Sequence, residues 1–402
     1  MYRYEYIYPM TPTLPQRWLV LGVLAFARIA MGFQFQAVAS VSPLLVDEFG
    51  IDYASVGTLI GLFLLPGVVL AMPGGMLGRR FGEKRMVVGG LALMTLGGVV
   101  SGLGDSYAML VTGRVLTGVG VVLQFVLMTK MLADWFRDRE LIFAMSLYLN
   151  GWPVGIGLAL VTQPEIATAY SWRTVFFATA VLCGLTLVVL AALYRSPPAQ
   201  PAARPGAPTA GLSLREFLMV SFAGMVWTFV NAGWVITVSF SPGYLRSRGL
   251  EFGEAATIAS LATWFGVVGI PLGGWLASRL GRPNAFIVVF TVIGGLAILA
   301  IPYTTAYVLC FSVIGLILLL PAGLMAALPI EALRPQNRAT GLGLFYTWWY
   351  AGVAGLPPVA GWAYDVTGSP AAPLLCAAGL VFLTLVSLLL FRLCQRLPGA
   401  AP

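Results

Sequence analysis

Apolar stretches of about 20 residues recur along the chain, separated by short polar or glycine-containing loops. At about 1.5 Å per residue, a helix of that length crosses the ~30 Å hydrocarbon core of a bilayer. The pattern therefore predicts an all-α membrane protein with twelve transmembrane spans. Their predicted limits are residues 18–45, 55–77, 86–104, 107–132, 141–163, 173–194, 217–240, 256–277, 284–302, 305–328, 340–363 and 372–393.

A segment rich in proline and alanine, residues 196–216, interrupts this pattern between spans six and seven. Its prolines are incompatible with a regular helix, so we expect a linker and not a span. The predicted organisation is an N-terminal six-helix half over residues 1–195, the linker, and a C-terminal six-helix half over residues 217–402.

The composition agrees with a membrane protein, because 59% of the residues are hydrophobic and only 9% are charged. A soluble domain needs more polar residues to cover its surface. Histidine is absent, and the four cysteines have no paired or metal-type spacing. We therefore expect no metal, no cofactor and no enzymatic activity. A transporter-derived receptor is also disfavoured, because no long cytoplasmic domain interrupts the spans.

The positive charges lie mainly on one side of the predicted membrane. Eighteen of the 23 lysines and arginines fall in tails and loops on the side of the termini, and three (Arg173, Arg246 and Arg248) fall on the other side. Positive residues favour the cytoplasmic side, so both termini are predicted to be cytoplasmic in a bacterial-type inner membrane. The net charge of +8 thus reflects topology in a lipid bilayer, and no nucleic-acid partner is expected.

A loop of related sequence occurs twice, after span two and after span eight, with a displacement of 199 residues. Two related halves in tandem are typical of transporters that bind substrate between the halves and expose it alternately to either side. The residues of this loop are candidates for gating. They are Gly75, Arg79, Arg80, Gly82, Lys84, Arg85, Arg279 and Gly281.

The first loop resembles the cytoplasmic signature of the major facilitator superfamily, Gly-x-Leu-(Ala/Gly)-Asp-Arg-x-Gly-(Arg/Lys)-(Arg/Lys), with Glu83 as one extra residue. Arg114, Gly118 and Gly120 are similar to the fourth-span pattern of that family. The resemblance covers nearly the whole chain. It implies the major facilitator fold, secondary transport by alternating access, and a monomer. Arg79 stands where the family usually has aspartate, which implies a different or weaker cytoplasmic latch.

A narrower resemblance concerns residues 27–36 and 333–341, which look like the cyanate-permease and nitroimidazole-transport branch of bacterial facilitators. An arginine in the first span is also similar to the organic-anion symporters of the family. Both resemblances imply a small anionic substrate. Residues 151–157 of span five only partly resemble the pattern of drug/proton antiporters, which disfavours drug efflux.

Arg28 is the main candidate for binding that anion. It follows Trp18 by ten residues, which places it ~15 Å into the bilayer, where an uncompensated charge costs about 3 kcal/mol or more. All fifteen acidic residues fall in tails, loops or the last turns of spans, so none is expected to pair with Arg28. Gly32, Phe35 and Gln36 share its helix face, where the glycine is expected to keep the surface open as part of a cavity wall. The alternative is that carbonyl groups, Gln36 and water satisfy the guanidinium.

Further candidates are aromatic and amide residues grouped at helical spacing, for which interior packing is the alternative. They are Trp227, Asn231 and Trp234 in span seven, Tyr346, Trp349 and Tyr350 in span eleven, and Asn150 and Trp152 in span five. Arg114 in span four is a candidate either for binding or for helix packing. Pro153 is a candidate hinge in span five.

The coupling mode is constrained by the absence of a titratable acid or histidine at mid-membrane. Facilitated diffusion, anion exchange, and symport of a protonated substrate remain open. We predict secondary active transport of a small anion, either an inorganic oxyanion such as cyanate or a small carboxylate, by proton symport or exchange. The alternative is proton-coupled efflux of drug-like or nitroimidazole-type compounds. The displacement of 199 carries Arg28 onto Trp227, so the predicted anion site is asymmetric.

Overall fold

In a computed structural model, residues 14–136, 138–196 and 211–396 are described, and this part of the chain consists of helices and short turns without a strand. The predicted all-α class is confirmed. Eleven helices in it are long and apolar enough to cross a membrane, which is approximately consistent with twelve spans. The remaining long helix, Arg338–Thr367, carries polar residues and two prolines, which lower its hydropathy.

The first six spans contain two interrupted helices followed by four continuous ones. The helices are Leu14–Phe35, Ala37–Ser40 and Ser42–Phe49 in span one, Tyr53–Leu62 and Gly67–Phe81 in span two, and then Glu83–Gly102, Tyr107–Ala133, Asp138–Ala169 and Trp172–Leu193.

The last six spans include one interrupted helix, span ten, which contains a π-helical turn. The helices are Leu214–Ser247, Phe252–Leu280, Pro283–Ala300, then Tyr307–Val313, Ile314–Leu318 and Ala322–Ala332 in span ten, Arg338–Thr367 in span eleven and Ala372–Arg396 in span twelve.

Local capping signals explain two boundaries. Span seven begins at Leu214, inside the predicted linker, because Ser213 and Glu216 form a capping box that satisfies amides at the start of the helix. Residues 197–210 of the linker lie outside the described residues. Gly82 and Gly281, which are 199 positions apart, both have positive φ, 87° and 61°, at the end of a helix. The repeated loop therefore has a repeated conformation, which glycine adopts without strain.

The two halves pack together on the side away from the termini, which we call the far side. Span two packs against span eleven, and span five against span eight. Glycine allows these approaches, because an added Cβ at Gly61 would overlap the Ala354 carbonyl, and one at Gly157 would lie 2.8 Å from the Trp264 ring.

On the opposite side, which we call the terminus side, the described ion pairs stay within one half. Arg17 pairs with Glu140 in the first half, and Arg392 pairs with Glu331 in the second. Lys130 pairs with two acids of its own half, Glu83 and Asp134. The contacts across the seam between the halves are therefore concentrated on the far side.

Spans one and five pack closely against each other, and span one carries Arg28, the main candidate for binding. An added Cβ at Gly32 would overlap the Trp152 carbonyl, and one at Gly155 would overlap the Ile29 carbonyl. Gly32 therefore does not keep the surface of span one open. It lets the backbone of span five lie against it. The helix Asp138–Ala169 is continuous through Pro153, so the hinge at that residue stays a prediction.

Candidate functional site

Arg28 lies in a buried aromatic environment within the first half. Its side chain is 4% exposed, and its guanidinium carbon lies 3.7 Å from the ring centroid of Phe125, 5.2 Å from that of Tyr148 and 5.6 Å from that of Trp152. Gly151 provides room for the side chain, because an added Cβ there would lie 2.9 Å from the Arg28 Cβ. The arginine is thus packed between spans one, four and five.

The hydrogen bonds of Arg28 are incomplete. Its Nε and Nη1 atoms are buried and have no partner among the described residues. A buried donor without a partner loses its hydration without replacement, which costs about 1–3 kcal/mol and more when the group is charged. Ring faces compensate part of the charge. Two strong donors remain free to bind an acceptor.

The aromatic rings around Arg28 continue across the seam into span eleven. Phe125 lies 5.6 Å from Trp349, which in turn lies 4.7 Å from Tyr350, measured between ring centroids. Tyr346 lies 6.4 Å from Trp349 on the same helix, again between ring centroids. The structure therefore brings three predicted residues of span eleven to the face of the seam where Arg28 lies.

Two further polar atoms at this place lack partners. The hydroxyl oxygen of Tyr148 and the indole nitrogen of Trp349 are both buried and unpaired among the described residues. Together with the two Arg28 nitrogens they form a set consisting of hydrogen-bond donors, of which only the hydroxyl can also accept. Such a set suits a ligand with several acceptor oxygens.

Phe35 and Gln36 lie where the helix of span one is interrupted. Phe35 ends the first helix, and its ring packs 5.2 Å from Trp152 and 5.3 Å from Phe63. Gln36 occupies the turn before Ala37 and is completely buried, and both polar atoms of its side chain lack a partner. The predicted common helix face with Arg28 holds only as far as Phe35.

The guanidinium of Arg114 donates hydrogen bonds to backbone carbonyls from all three of its nitrogen atoms. Its Nε donates to the Leu59 carbonyl at 2.9 Å, and Nη1 and Nη2 donate to the carbonyls of Gln34 and Phe35 at 3.2 and 3.3 Å. These carbonyls lie next to the interruptions in spans one and two, where helical partners are missing. Of the two predicted roles, this geometry favours helix packing.

The predicted group on span seven has partners within the second half. Trp227 stacks on Phe345 at 6.4 Å between centroids, and the Asn231 amide donates to the Trp227 carbonyl at 2.8 Å. The Trp234 indole donates to the Ala262 carbonyl at 3.4 Å. These contacts favour packing for Trp234, while Trp227 and Asn231 remain half-buried.

Asn150 is half-buried on span five, two residues before Trp152. Its role in binding stays a prediction. Phe125 and Tyr148 contact Arg28 directly and were not among the predicted residues. Tyr148 precedes Trp152 by four residues on one helix face, a spacing that could have indicated it, whereas Phe125 carries no signal in the sequence.

The repeated loop lies at the terminus side. The Lys84 ammonium donates to the carbonyls of Ala191 and Tyr194, both at 2.8 Å, and so ties the loop to the end of span six. Arg80 and Arg279 are exposed and lie against the rings of Phe81 and Trp275, respectively. Arg85 is also exposed. The side chain of Arg79 and the surroundings of Gly75 are outside what the structure describes, so the latch predicted there stays a prediction.

Comparison with known proteins agrees with this architecture. A family profile described as Major Facilitator Superfamily matches residues 24–357. The chain is similar to a gallate transporter of Pseudomonas putida, with 23% identity over 72% of each chain. It is also similar to a probable sulfoacetate transporter of Cupriavidus necator, with 24% identity over 92% of this chain and 93% of the relative, and to an oxalate:formate antiporter of Oxalobacter formigenes, with 26% identity over 70% and 68%.

Solved structures support the fold. A bacterial homologue of the human lysosomal transporter Spinster, in an inward-facing and unoccupied conformation, superimposes with a TM-score of 0.74 at 17% identity, over 96% of this chain and 98% of that chain. A transporter of the POT family gives a TM-score of 0.73 at 12% identity, over 94% and 99%. These proteins are transporters and not enzymes.

Proposed function

The chain belongs to the Major Facilitator Superfamily, and we propose that this multi-pass secondary transporter carries a small organic anion bound by Arg28 at the seam between its halves. One observation carries the proposal. The Arg28 guanidinium is buried inside the first half, and two of its nitrogen atoms have no partner among the described residues.

Electrostatics favours an anion as the ligand. An arginine in this position is costly unless a charge or a set of acceptors compensates it. The described surroundings of Arg28 are ring faces and donors, which compensate it only in part. A carboxylate accepts charge-assisted hydrogen bonds from a guanidinium, so an organic acid could bond to a nitrogen that has no partner among the described residues and also neutralise the charge.

The relatives narrow the class of anion. Gallate, sulfoacetate, oxalate and formate in their printed names are all organic anions. This supports a carboxylate or sulfonate over an inorganic oxyanion. The rings of Phe125, Trp152 and Trp349 beside the guanidinium favour a planar organic body behind the acid group. Cyanate, implied by the narrower sequence resemblance, belongs in the test panel.

Anion exchange or proton symport is the proposed mode. Net uptake of an anion alone works against a membrane potential that is negative inside. Exchange removes that cost, and a substrate that enters with a proton also avoids it. We place the protein in a bacterial-type inner membrane with both termini in the cytoplasm, in accordance with its charge distribution.

A second candidate function is efflux of uncharged or cationic drug-like compounds. The aromatic lining from Phe125 to Tyr350 favours it, since ring faces also bind cations and flat apolar molecules. The buried positive charge of Arg28 disfavours it for cations.

The test is uptake into liposomes that contain the purified protein. Labelled 4-hydroxybenzoate, gallate, oxalate, formate and cyanate would be offered with and without a counter-anion inside and with and without a pH gradient. We expect saturable uptake of at least one organic acid, and its loss in the variant Arg28→Gln. Stimulation by internal anion indicates exchange, and stimulation by external acid indicates proton symport.

The matched control is Arg173→Gln, which removes an arginine paired with Glu48 at the far side. It should leave uptake unchanged. The anion hypothesis is wrong if none of the anions enters, a labelled lipophilic cation does, and Arg28→Gln leaves that movement intact.

A further inference from the structure

A carboxylate of span eleven caps the start of span two across the seam. One oxygen of Asp365, Oδ1, accepts a hydrogen bond from the Tyr53 amide at 2.9 Å, and the other, Oδ2, accepts one from the Ala54 amide at 2.8 Å. The first amides of a helix have no partner within that helix. A negative charge there also interacts favourably with the helix dipole. Asp365 thus joins the two halves at the far side.

The other half places Glu165 at the corresponding position. That residue lies in the last turns of span five, and its carboxylate lies against Gly253 in the first turn of span eight. An added Cβ at Gly253 would overlap the Glu165 Oε1 atom, so glycine is what allows the approach. The acids Glu251 and Glu254 flank this turn.

The two contacts correspond within the tandem repeat. The displacement of 199 carries Tyr53, the first residue of the span two helix, onto Phe252, the first residue of the span eight helix. Glu165 and Asp365 differ by 365 − 165 = 200 positions. Each half therefore supplies one acid to the first turn of a helix in the other half.

The terminus side differs from the far side in its ion pairs and in the residues of its loops. The described ion pairs there do not cross the seam, and the repeated loops carry Arg79 and Ser278 where the family signature has aspartate. Acid-to-helix contacts across the seam thus occur in the described part of the chain on the far side, where the rings of Tyr53 and Tyr364 also pack with their centroids 4.0 Å apart.

We propose that Asp365 and Glu165 are paired gate residues, which hold the far side closed in the unliganded protein and release it when their contacts with spans two and eight break. The inference depends on alternating access, which is part of the proposed function, but not on the nature of the substrate. Such a gate would favour the state closed at the far side in a chain whose signature loop lacks the usual aspartate.

The test measures the distance across the far side without substrate. Spin labels would be attached at Tyr170→Cys and Tyr303→Cys, two exposed sites on opposite halves, in a background whose native cysteines are replaced. Distance distributions come from double electron–electron resonance. In the double variant Asp365→Asn with Glu165→Gln we expect the long-distance population to rise about tenfold relative to the parent. Asp365→Asn alone should have the larger single effect.

The matched control is Asp52→Asn. Asp52 caps the same helix from within its own half by accepting from the Ser55 amide at 2.8 Å, and asparagine caps equally well. This control and the charge-conserving Asp365→Glu should keep the parent distribution. Gly253→Ala displaces the Glu165 carboxylate without removing it, and should shift the distribution in the same direction as Glu165→Gln.

An unchanged distribution in the double variant and in Gly253→Ala would overturn the gate. Because no substrate is present, that result leaves the anion hypothesis intact. Conversely, an uptake result with Arg28→Gln that contradicts the anion hypothesis does not affect the distance measurement. If the double variant does not fold, the single variants and Gly253→Ala still decide the question.

Discussion

The guanidinium carbon of Arg28 lies 3.7 Å from the centroid of the Phe125 ring, so that the buried cation rests on an aromatic face. The two residues come from spans one and four, and Phe125 also lies 5.6 Å from Trp349 of the second half. The ring therefore stabilises the free guanidinium and links it to the seam. A bound anion would take over part of that stabilisation.

We expect the substitution Phe125→Leu to lower the free energy of unfolding by about 2 kcal/mol, the order of a desolvated cation–π contact. A saturating organic anion should then raise the melting temperature by more in the variant than in the parent, because the anion neutralises a less compensated charge. Thermal unfolding in detergent, with and without ligand, measures both quantities.

The control for this prediction is Phe63→Leu. Phe63 lies 4.6 Å from the Arg114 guanidinium in a similar arrangement, but Arg114 is bonded to carbonyls. Phe63→Leu should destabilise the protein without enlarging the ligand-induced shift. An equal shift in the two variants would contradict the assignment of Arg28 as the anion ligand.

The substitution Arg114→Met distinguishes packing from substrate binding. It removes three hydrogen bonds to the carbonyls of Leu59, Gln34 and Phe35, so we expect the free energy of unfolding to fall by about 2–4 kcal/mol. The KM for the anion should stay within about threefold of the parent in the folded fraction. A KM raised tenfold or more with unchanged stability would instead assign Arg114 to the substrate.

Much of the fold follows from the sequence alone because it depends on local properties. Hydrophobic length indicates the spans, and the repeated loop returns as the same positive-φ glycine at positions 82 and 281. Arg28 could likewise be singled out from its depth in an apolar run.

The surroundings of Arg28 could not be predicted, because they depend on which helices meet. Phe125 belongs to span four and has no signal in the sequence. In span five the spacing of Tyr148 and Trp152 indicates a common helix face, but not that this face lies against Arg28. Gly32 illustrates the same limit. A glycine beside a charge suggests an open cavity wall, yet the Trp152 carbonyl occupies that space.

This packing leads to a prediction for two glycines of the same helix. An added methyl group at Gly32 overlaps the backbone of span five, which cannot move aside as a side chain would, whereas nothing lies within 4 Å of the corresponding position at Gly22. We expect Gly32→Ala to reduce thermal stability strongly and to abolish transport. Gly22→Ala should be neutral or stabilising by up to about 1 kcal/mol, since alanine favours a helix. Equal behaviour of the two variants in a melting experiment would contradict the close packing of spans one and five.

The unpaired hydroxyl of Tyr148 provides the last prediction. Because this buried group has no partner among the described residues, removing it in Tyr148→Phe should not lower stability and can raise it. If the hydroxyl binds the substrate beside Arg28, the same substitution should raise the KM about tenfold, which corresponds to one hydrogen bond of ~1.4 kcal/mol.

Tyr107→Phe is the contrasting variant, because the Tyr107 hydroxyl already donates to the Ser55 carbonyl at 3.3 Å. It should cost a little stability and leave the KM unchanged. If Tyr148→Phe both lowers stability and raises the KM, the hydroxyl has a packing role. A raised KM with preserved stability is expected only if the hydroxyl binds the substrate.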